Sequence, residues 1–360
     1  MRWAKGGIMP EILSEFQWMA LIGLASGLFL GLAARLGRFC TLGAIEDALY
    51  GGSLVRLRLW GAAIGLAVLG SFALMRAGLL VPAETYYLSI GWMPLASILG
   101  GLLFGYGMAM TGNCGYGAIA RLGGGDLRAF VIVLVMGLST FVALSGPLAP
   151  LRAALFDQVP VSGEAFPGIA HELSRLSGLD ANMLGMGIGA LLLIFSVSAR
   201  SVWDKPFLVF WAFAVGMAVV LAWAGTSYVA HTGFEVLPVV SHSFAAPLGE
   251  SMLWAMMGSA RPLSFAVGSV TGVLGGAFIG SLLKGHFRWE ACEDPRELRR
   301  QIFGAALMGL GAVLALGCSV GQGLSAFSVL AFSAPVTFAA IFAGAALGLR
   351  QLIMGFSAAR

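Results

Sequence analysis

Three of the four cysteines in this chain recur in one setting. The stretches are Gly37-Arg38-Phe39-Cys40-Thr41-Leu42-Gly43-Ala44, Thr111-Gly112-Asn113-Cys114-Gly115-Tyr116-Gly117-Ala118 and Leu316-Gly317-Cys318-Ser319-Val320-Gly321-Gln322-Gly323. Each follows an apolar run and opens a segment rich in small residues. An apolar run too short to cross a bilayer comes next: Ala44–Tyr50, Ala118–Leu122 and Leu324–Phe332. This pattern predicts re-entrant half-helices. Backbone broken at membrane depth is tolerated only where protein or a cavity satisfies it, and glycine permits the sharp turns. Each cysteine then lies near a half-helix N-terminus, where free N–H groups and the helix dipole favour an anion. The thiol adds a weak donor and a polarizable sulfur. A sulfur-bearing anion could pass between such thiols along a dry path, provided they stay neutral. A single free cysteine is more often a small buried hydrophobe, so the weight rests on the recurrence.

The substrate-binding set expected from these stretches is Cys40, Cys114 and Cys318 with Gly112, Asn113, Gly115, Gly117, Gly317, Gly321 and Gln322. Arg38 and Arg121 are the nearest cations. They serve to attract an anion at the inner mouth, or as membrane-interface anchors. Cys292, in a charged loop between Arg288 and Pro295, is read as incidental. No metal and no cofactor is expected: there is no CxxC pair and no histidine beside a motif cysteine. The chain has no GxxxxGK[ST] loop for a nucleotide. No carboxylate falls in a span centre, so a carboxylate proton relay is unsupported.

The elements that must position these cysteines follow from composition. The 360 residues are 59% hydrophobic and only 11% charged, with 52 glycines and a mean hydropathy of +0.90. Soluble domains carry about 25% charge, so a soluble enzyme is excluded. Continuous apolar runs, without alternation, argue for helices rather than a barrel. The predicted spans are Trp18–Leu36, Leu59–Ala77, Trp92–Thr111, Leu127–Ser145, Asn182–Ala199, Pro206–Ala224, Leu263–Lys284, Gln301–Leu316 and Pro335–Met354. The fold class is thus an all-α integral membrane protein of about nine transmembrane helices plus short re-entrant helices. With the N-terminus outside, fifteen of the 21 Lys and Arg residues fall inside and six outside. That bias places the N-terminus outside and the C-terminus inside, and explains the basic pI without nucleic acid. The polar stretch with Glu11 and Glu15 argues against a signal peptide. Two outside loops stand out. Thr226–Ala260 holds His231, His242, Glu235 and Glu250, and its apolar stretch Ser251–Met257 is a candidate for dipping into the membrane and for substrate access. Gly146–Ala181 is long, acidic and carries His171; it is a lid, a partner surface or an insertion.

An internal repeat is also legible. Offset by 204 residues, Ile98, Gly100, Gly105, Gly107, Cys114 and Gly117 match Ile302, Gly304, Gly309, Gly311, Cys318 and Gly321. These fall on the third and eighth spans, which run in opposite directions. An inverted-topology repeat places a substrate site near the midplane between the halves. The whole chain, 1–360, reads as one transmembrane transport domain with pseudo-repeats at about 18–145 and 182–354.

Together, GRFCTLGA, GNCGYGAIAR and GCSVGQG resemble the motifs of the YeeE/YedE family of bacterial membrane proteins that carry sulfur compounds. The resemblance covers about residues 20–354. It implies an hourglass-like fold and uptake of thiosulfate, or a closely related sulfur anion, across the inner membrane. In this reading the anion passes by hydrogen bonds from thiol to thiol at Cys40, Cys114 and Cys318. It implies a transporter rather than an enzyme, working in some members beside a small cytoplasmic sulfur carrier of the TusA type. The alternatives are a selenium-compound transporter, a membrane sulfurtransferase or thiol oxidoreductase forming a cysteine persulfide, and a structural protein in which the thiols only pack.

Overall fold

The computed structural model describes residues 13–156, 166–291 and 294–357. Cys292, the stretch before Leu13, and Arg2, Lys5, Asp157, Glu164 and Arg360 lie outside the described residues. Among the described residues the regular structure is helical throughout, with only isolated bridge pairs such as Thr85–Val239 and Gly168–Ala331. The chain is an all-α integral membrane protein.

Each of the nine predicted spans is a helix: α1 Glu15–Leu36, α3 Val55–Arg76, α4 Pro94–Thr111, α6 Leu127–Leu144, α9 Ala181–Val197, α11 Pro206–Thr232, α13 Phe265–Leu283, α14 Pro295–Leu314 and α15 Ser333–Ser357. The shorter helices are α2 Thr41–Leu49, α5 Gly115–Leu122, α7 Ala149–Leu155, α8 Ile169–Ser177, α10 Arg200–Trp203 and α12 Ala246–Met257. Gly321–Ala326 forms a π-helical segment. Among the described residues, seven helices are long and apolar enough to cross a membrane. α9 falls short at 17 residues. α14 opens on a charged first turn, Pro295-Arg296-Glu297, so only its later part is apolar. The helix ends follow capping chemistry: Ser14 forms a capping box with Gln17, and Asp126, Asp180, Ser264 and Asp294 each accept a first-turn N–H. Large apolar side chains such as Leu138, Leu191, Phe195 and Phe210 point outward, as lipid-facing surfaces require.

Small residues bring the helices together. On α1, Gly23, Gly27 and Gly31 face the backbone of Phe265, Ser269 and Val273; on α13, Gly268, Gly272 and Gly276 face Ala20, Leu24 and Leu28. Backbones can close this far because the glycine at each contact has no Cβ to meet the facing backbone. The α4–α14 crossing repeats the device. Gly100 lies against Gly311, and Gly107 against Gly304, so one contact occurs twice. The same exchange runs through the whole packing. α1 packs on α13 as α11 packs on α3, α4 on α15 as α14 on α6, and α2 on α3 as α12 on α13. The short α5 packs on α6 and α13 as the π segment packs on α15 and α3. α9 packs chiefly on α3 and has no counterpart in this exchange.

The two loops expected outside differ from the sequence reading. Thr226–Thr232 continues α11, and Ala246–Met257 is the helix α12, so about half of 226–260 is helix rather than loop. Between them His242 is fully buried, its Nδ1 2.7 Å from the Ser269 Oγ. The described part of Gly146–Ala181 is not a free lid. The Ile169 N–H donates to the Leu330 carbonyl at 2.8 Å, and the Phe332 N–H to the Pro167 carbonyl at 3.0 Å. His171 rests between Phe72 and Phe166, and burial holds its pKa below the ordinary imidazole value.

The glycine seam makes a paired prediction. A Cβ on Gly27 would meet the Ser269 carbonyl at 2.5 Å, whereas one on Gly275 meets nothing within 4 Å. Gly27→Val is expected to cost about 1–3 kcal/mol by overpacking, read as a lower unfolding temperature in detergent. Gly275→Val should leave it unchanged.

Candidate functional site

Each of the three cysteines stands at a helix break built in the same way. α1 ends at Leu36, and Cys40 is the N-cap of α2. α4 ends at Thr111, and Cys114 is the N-cap of α5. α14 ends at Leu314, and helix resumes directly after Cys318. The half-helices therefore begin at the cysteine itself, not at the later apolar runs; the small residues form their first turn.

The turns also differ from expectation. The residue two before each cysteine is left-handed: Arg38 at φ 51°, Gly112 at φ 74° and Leu316 at φ 57°. Only one of the three is glycine. The neighbouring glycines do another job. A Cβ on Gly37 would meet the Trp211 side chain at 2.5 Å, and one on Gly317 would press on Gln322 and the Tyr87 hydroxyl. Arg38 and Leu316 thus hold a conformation that costs an L-residue about 1–2 kcal/mol. Such strain persists where surrounding structure enforces it, often at functional sites.

Side chains satisfy the carbonyls exposed by each break. The Lys284 Nζ donates to the Arg35 carbonyl at 2.7 Å and the Leu36 carbonyl at 3.3 Å. Arg121 donates to the Gly112 carbonyl at 3.2 Å, and the Thr111 hydroxyl to the Asn113 carbonyl at 2.7 Å. The Gln322 Nε2 donates to the Ala315 carbonyl at 2.7 Å.

The N–H ends are treated differently. The Gly117 N–H donates to the Cys114 Sγ at 3.5 Å. The Cys318 Sγ accepts the Phe244 N–H at 3.2 Å and the Gly321 N–H at 3.4 Å. A sulfur that accepts backbone N–H groups keeps its own S–H free to donate. Cys114 and Cys318 are buried free thiols, while Cys40 is half-buried. Cys114 lies near both other thiols, as the middle member of the group.

Two cavities flank them. One, of about 360 Å³, is lined by Arg35, Arg38, Arg56, Arg121 and Lys284 with Cys40, Gly112, Asn113 and Gly117; Glu46 is its acid. The other, of about 690 Å³, is largely apolar and includes Tyr87, Ser241, Ser243, Leu316 and Gly317 in its wall. Cys114 lies between Asn113 and Gly117 of the basic cavity, and Cys318 follows Gly317 of the apolar one. Neither buried thiol lines either cavity.

Arg38, Cys40, Gly112, Asn113, Gly117 and Arg121 are therefore brought together around one cavity. Gly115 packs under Met136 and the Phe244 carbonyl, Gly317 borders the other cavity, and Gly321 lies below the Ser243 and Tyr87 hydroxyls. Gln322 braces the third break. Sequence reasoning missed Arg35, Arg56 and Lys284, which look like interface anchors, and Tyr87, which carries no motif. It also missed Ser243 and Phe244, although the repeat offset carries Cys40 onto Phe244. Among the described residues no group of three His, Cys, Asp or Glu side chains could hold a metal ion.

Broken helices in an apolar bundle, with cavities at the opposite ends of α1 and α13, are a construction that membrane transporters use. The chain belongs to the family described as sulphur transport, whose sequence model matches residues 36–347. It is 25% identical over 338 residues to the thiosulfate transporter TsuA of Escherichia coli (strain K12), covering 85% of this chain and 87% of that protein. It is 24% identical over 322 residues to the thiosulfate transporter TsuA of Spirochaeta thermophila, covering 88% and 93%.

The burial pattern predicts an order of thiol reactivity. In variants retaining one cysteine, a hydrophilic maleimide should modify Cys40 at least about tenfold faster than Cys114 or Cys318, because attack needs an accessible thiolate. Mass spectrometry of timed samples reads the order.

Proposed function

We propose that the protein takes up thiosulfate, or a closely related sulfur anion, across the bacterial inner membrane by a relay of hydrogen bonds from Cys318, Cys114 and Cys40. The observation that carries this reading is the state of the two buried thiols. Their sulfurs accept backbone N–H groups at half-helix starts, which leaves each S–H to donate to an anion. Neutral thiols with helix N-termini stabilise negative charge without trapping it as a buried cation would. The relatives named as thiosulfate transporters supply the substrate class.

The reading extends to architecture. Two units of opposite orientation, α1–α6 and α11–α15, account for the exchange of packing partners and for the doubled Gly100–Gly311 contact. The second unit then begins at α11, later than the boundary near residue 182, and α9 joins the two. This gives nine spans, an hourglass with its waist at Cys114 and Cys318, the N-terminus outside and the C-terminus inside. The basic cavity opens to the cytoplasm. There Arg38 and Arg121, with Arg35, Arg56 and Lys284, draw the anion inward. A divalent anion moves against the membrane potential, at about 2.3 kcal/mol per charge per 100 mV, and this basic sink offsets part of that. A cytoplasmic sulfur carrier of the TusA type fits as the acceptor at this mouth.

The test is uptake of radiosulfur-labelled thiosulfate by cells lacking other sulfate and thiosulfate importers. Cys114→Ala and Cys318→Ala should abolish uptake at unchanged membrane abundance. Cys→Ser variants should retain a graded fraction, since a hydroxyl still donates. Wild-type uptake persisting in both alanine variants would overturn the relay.

A further inference from the structure

Ser319 follows Cys318 at the start of the third half-helix, and it is completely buried. The ordinary reasons for a serine there are already taken. The cap is supplied by the Cys318 sulfur, which receives the Gly321 N–H. The Gln322 N–H goes to the Cys318 carbonyl at 2.8 Å. The carbonyl one turn back, Ala315, receives the Gln322 side chain. The Ser319 hydroxyl meets no partner with hydrogen-bond geometry. It nevertheless approaches the Cys114 thiol closely enough to interact with it. One turn further on, the Gln322 Oε1 is also buried without a partner. A buried, unpaired hydroxyl is destabilising, and in native proteins it calls for a functional cause.

We propose that the Ser319 hydroxyl is a further substrate-binding group, holding the anion as it crosses between the Cys318 and Cys114 thiols. This rests on the thiol-relay reading above and adds to it. Ser319 is joined to one thiol by the backbone and faces the other. It is therefore placed to bridge the step between the two fully buried thiols. An anion with a sulfur end and an oxygen end can accept from a thiol and this hydroxyl together. A passage lined by both donors favours such an anion over one with a single kind of acceptor.

The experiment measures labelled thiosulfate uptake into proteoliposomes, together with thermal unfolding, for wild type, Ser319→Ala and Ser319→Thr. Ser319→Ala should slow uptake about tenfold or more, the value of one hydrogen bond to a charged group. Its unfolding temperature should equal or exceed wild type, because an unsatisfied hydroxyl is removed. Ser319→Thr should retain most of the uptake. Two outcomes overturn the proposal: Ser319→Ala transporting at the wild-type rate, or its uptake falling together with its unfolding temperature, which marks a structural residue. Failure of the wild type to transport thiosulfate would instead overturn the function on which the proposal rests.

Discussion

A helix broken inside a membrane exposes backbone groups that no water can satisfy, and this constraint organises the molecule. Breaking α1, α4 and α14 leaves carbonyls at one end and N–H groups at the other. The carbonyl ends are closed by this chain's own side chains: Lys284 at the first break, Thr111 and Arg121 at the second, Gln322 at the third. At the second and third breaks the N–H ends are closed only in part, by weak bonds to cysteine sulfur. The result is a set of half-helix N-termini and thiols with donor capacity left over, on which the proposed anion path rests.

Bringing such half-helices together requires scaffolding helices at unusually short separations. The glycines of α1 and α13, and of α4 and α14, meet the demand by letting backbone touch backbone. The two cavities are differentiated by charge. One collects five basic side chains, and the other is wide and largely apolar, with Glu250, Arg261 and a few hydroxyls in its wall. In the proposed path a solute approaches through the apolar cavity and leaves through the basic one, by way of the buried thiols.

Much of this was legible in the chain. Spans are legible because lipid demands long apolar runs, and nine segments read from hydropathy all became helices. The cysteine sites are legible because cysteine is rare and its neighbours recur. Other features depend on tertiary context. Arg38 and Leu316 adopt a left-handed turn that their residue types do not announce, while the glycines Gly37 and Gly317 sit beside them in close contacts. Lys284 reads as an interface anchor until its ammonium is found on the carbonyls of α1. Ser243 and Phe244 reach Cys318 from the stretch just before α12, whose short apolar run marked the half-helix but not the contact with Cys318.

The most direct measurement is a structure determined with the selenium analogue of thiosulfate, selenosulfate, using the anomalous signal of selenium to locate the bound anion. A peak within hydrogen-bonding reach of the Cys114 or Cys318 sulfur, at a half-helix N-terminus, is the expected result. Selenium found only among the arginines of the basic cavity, with both buried thiols unvisited at saturating anion, would contradict the thiol path.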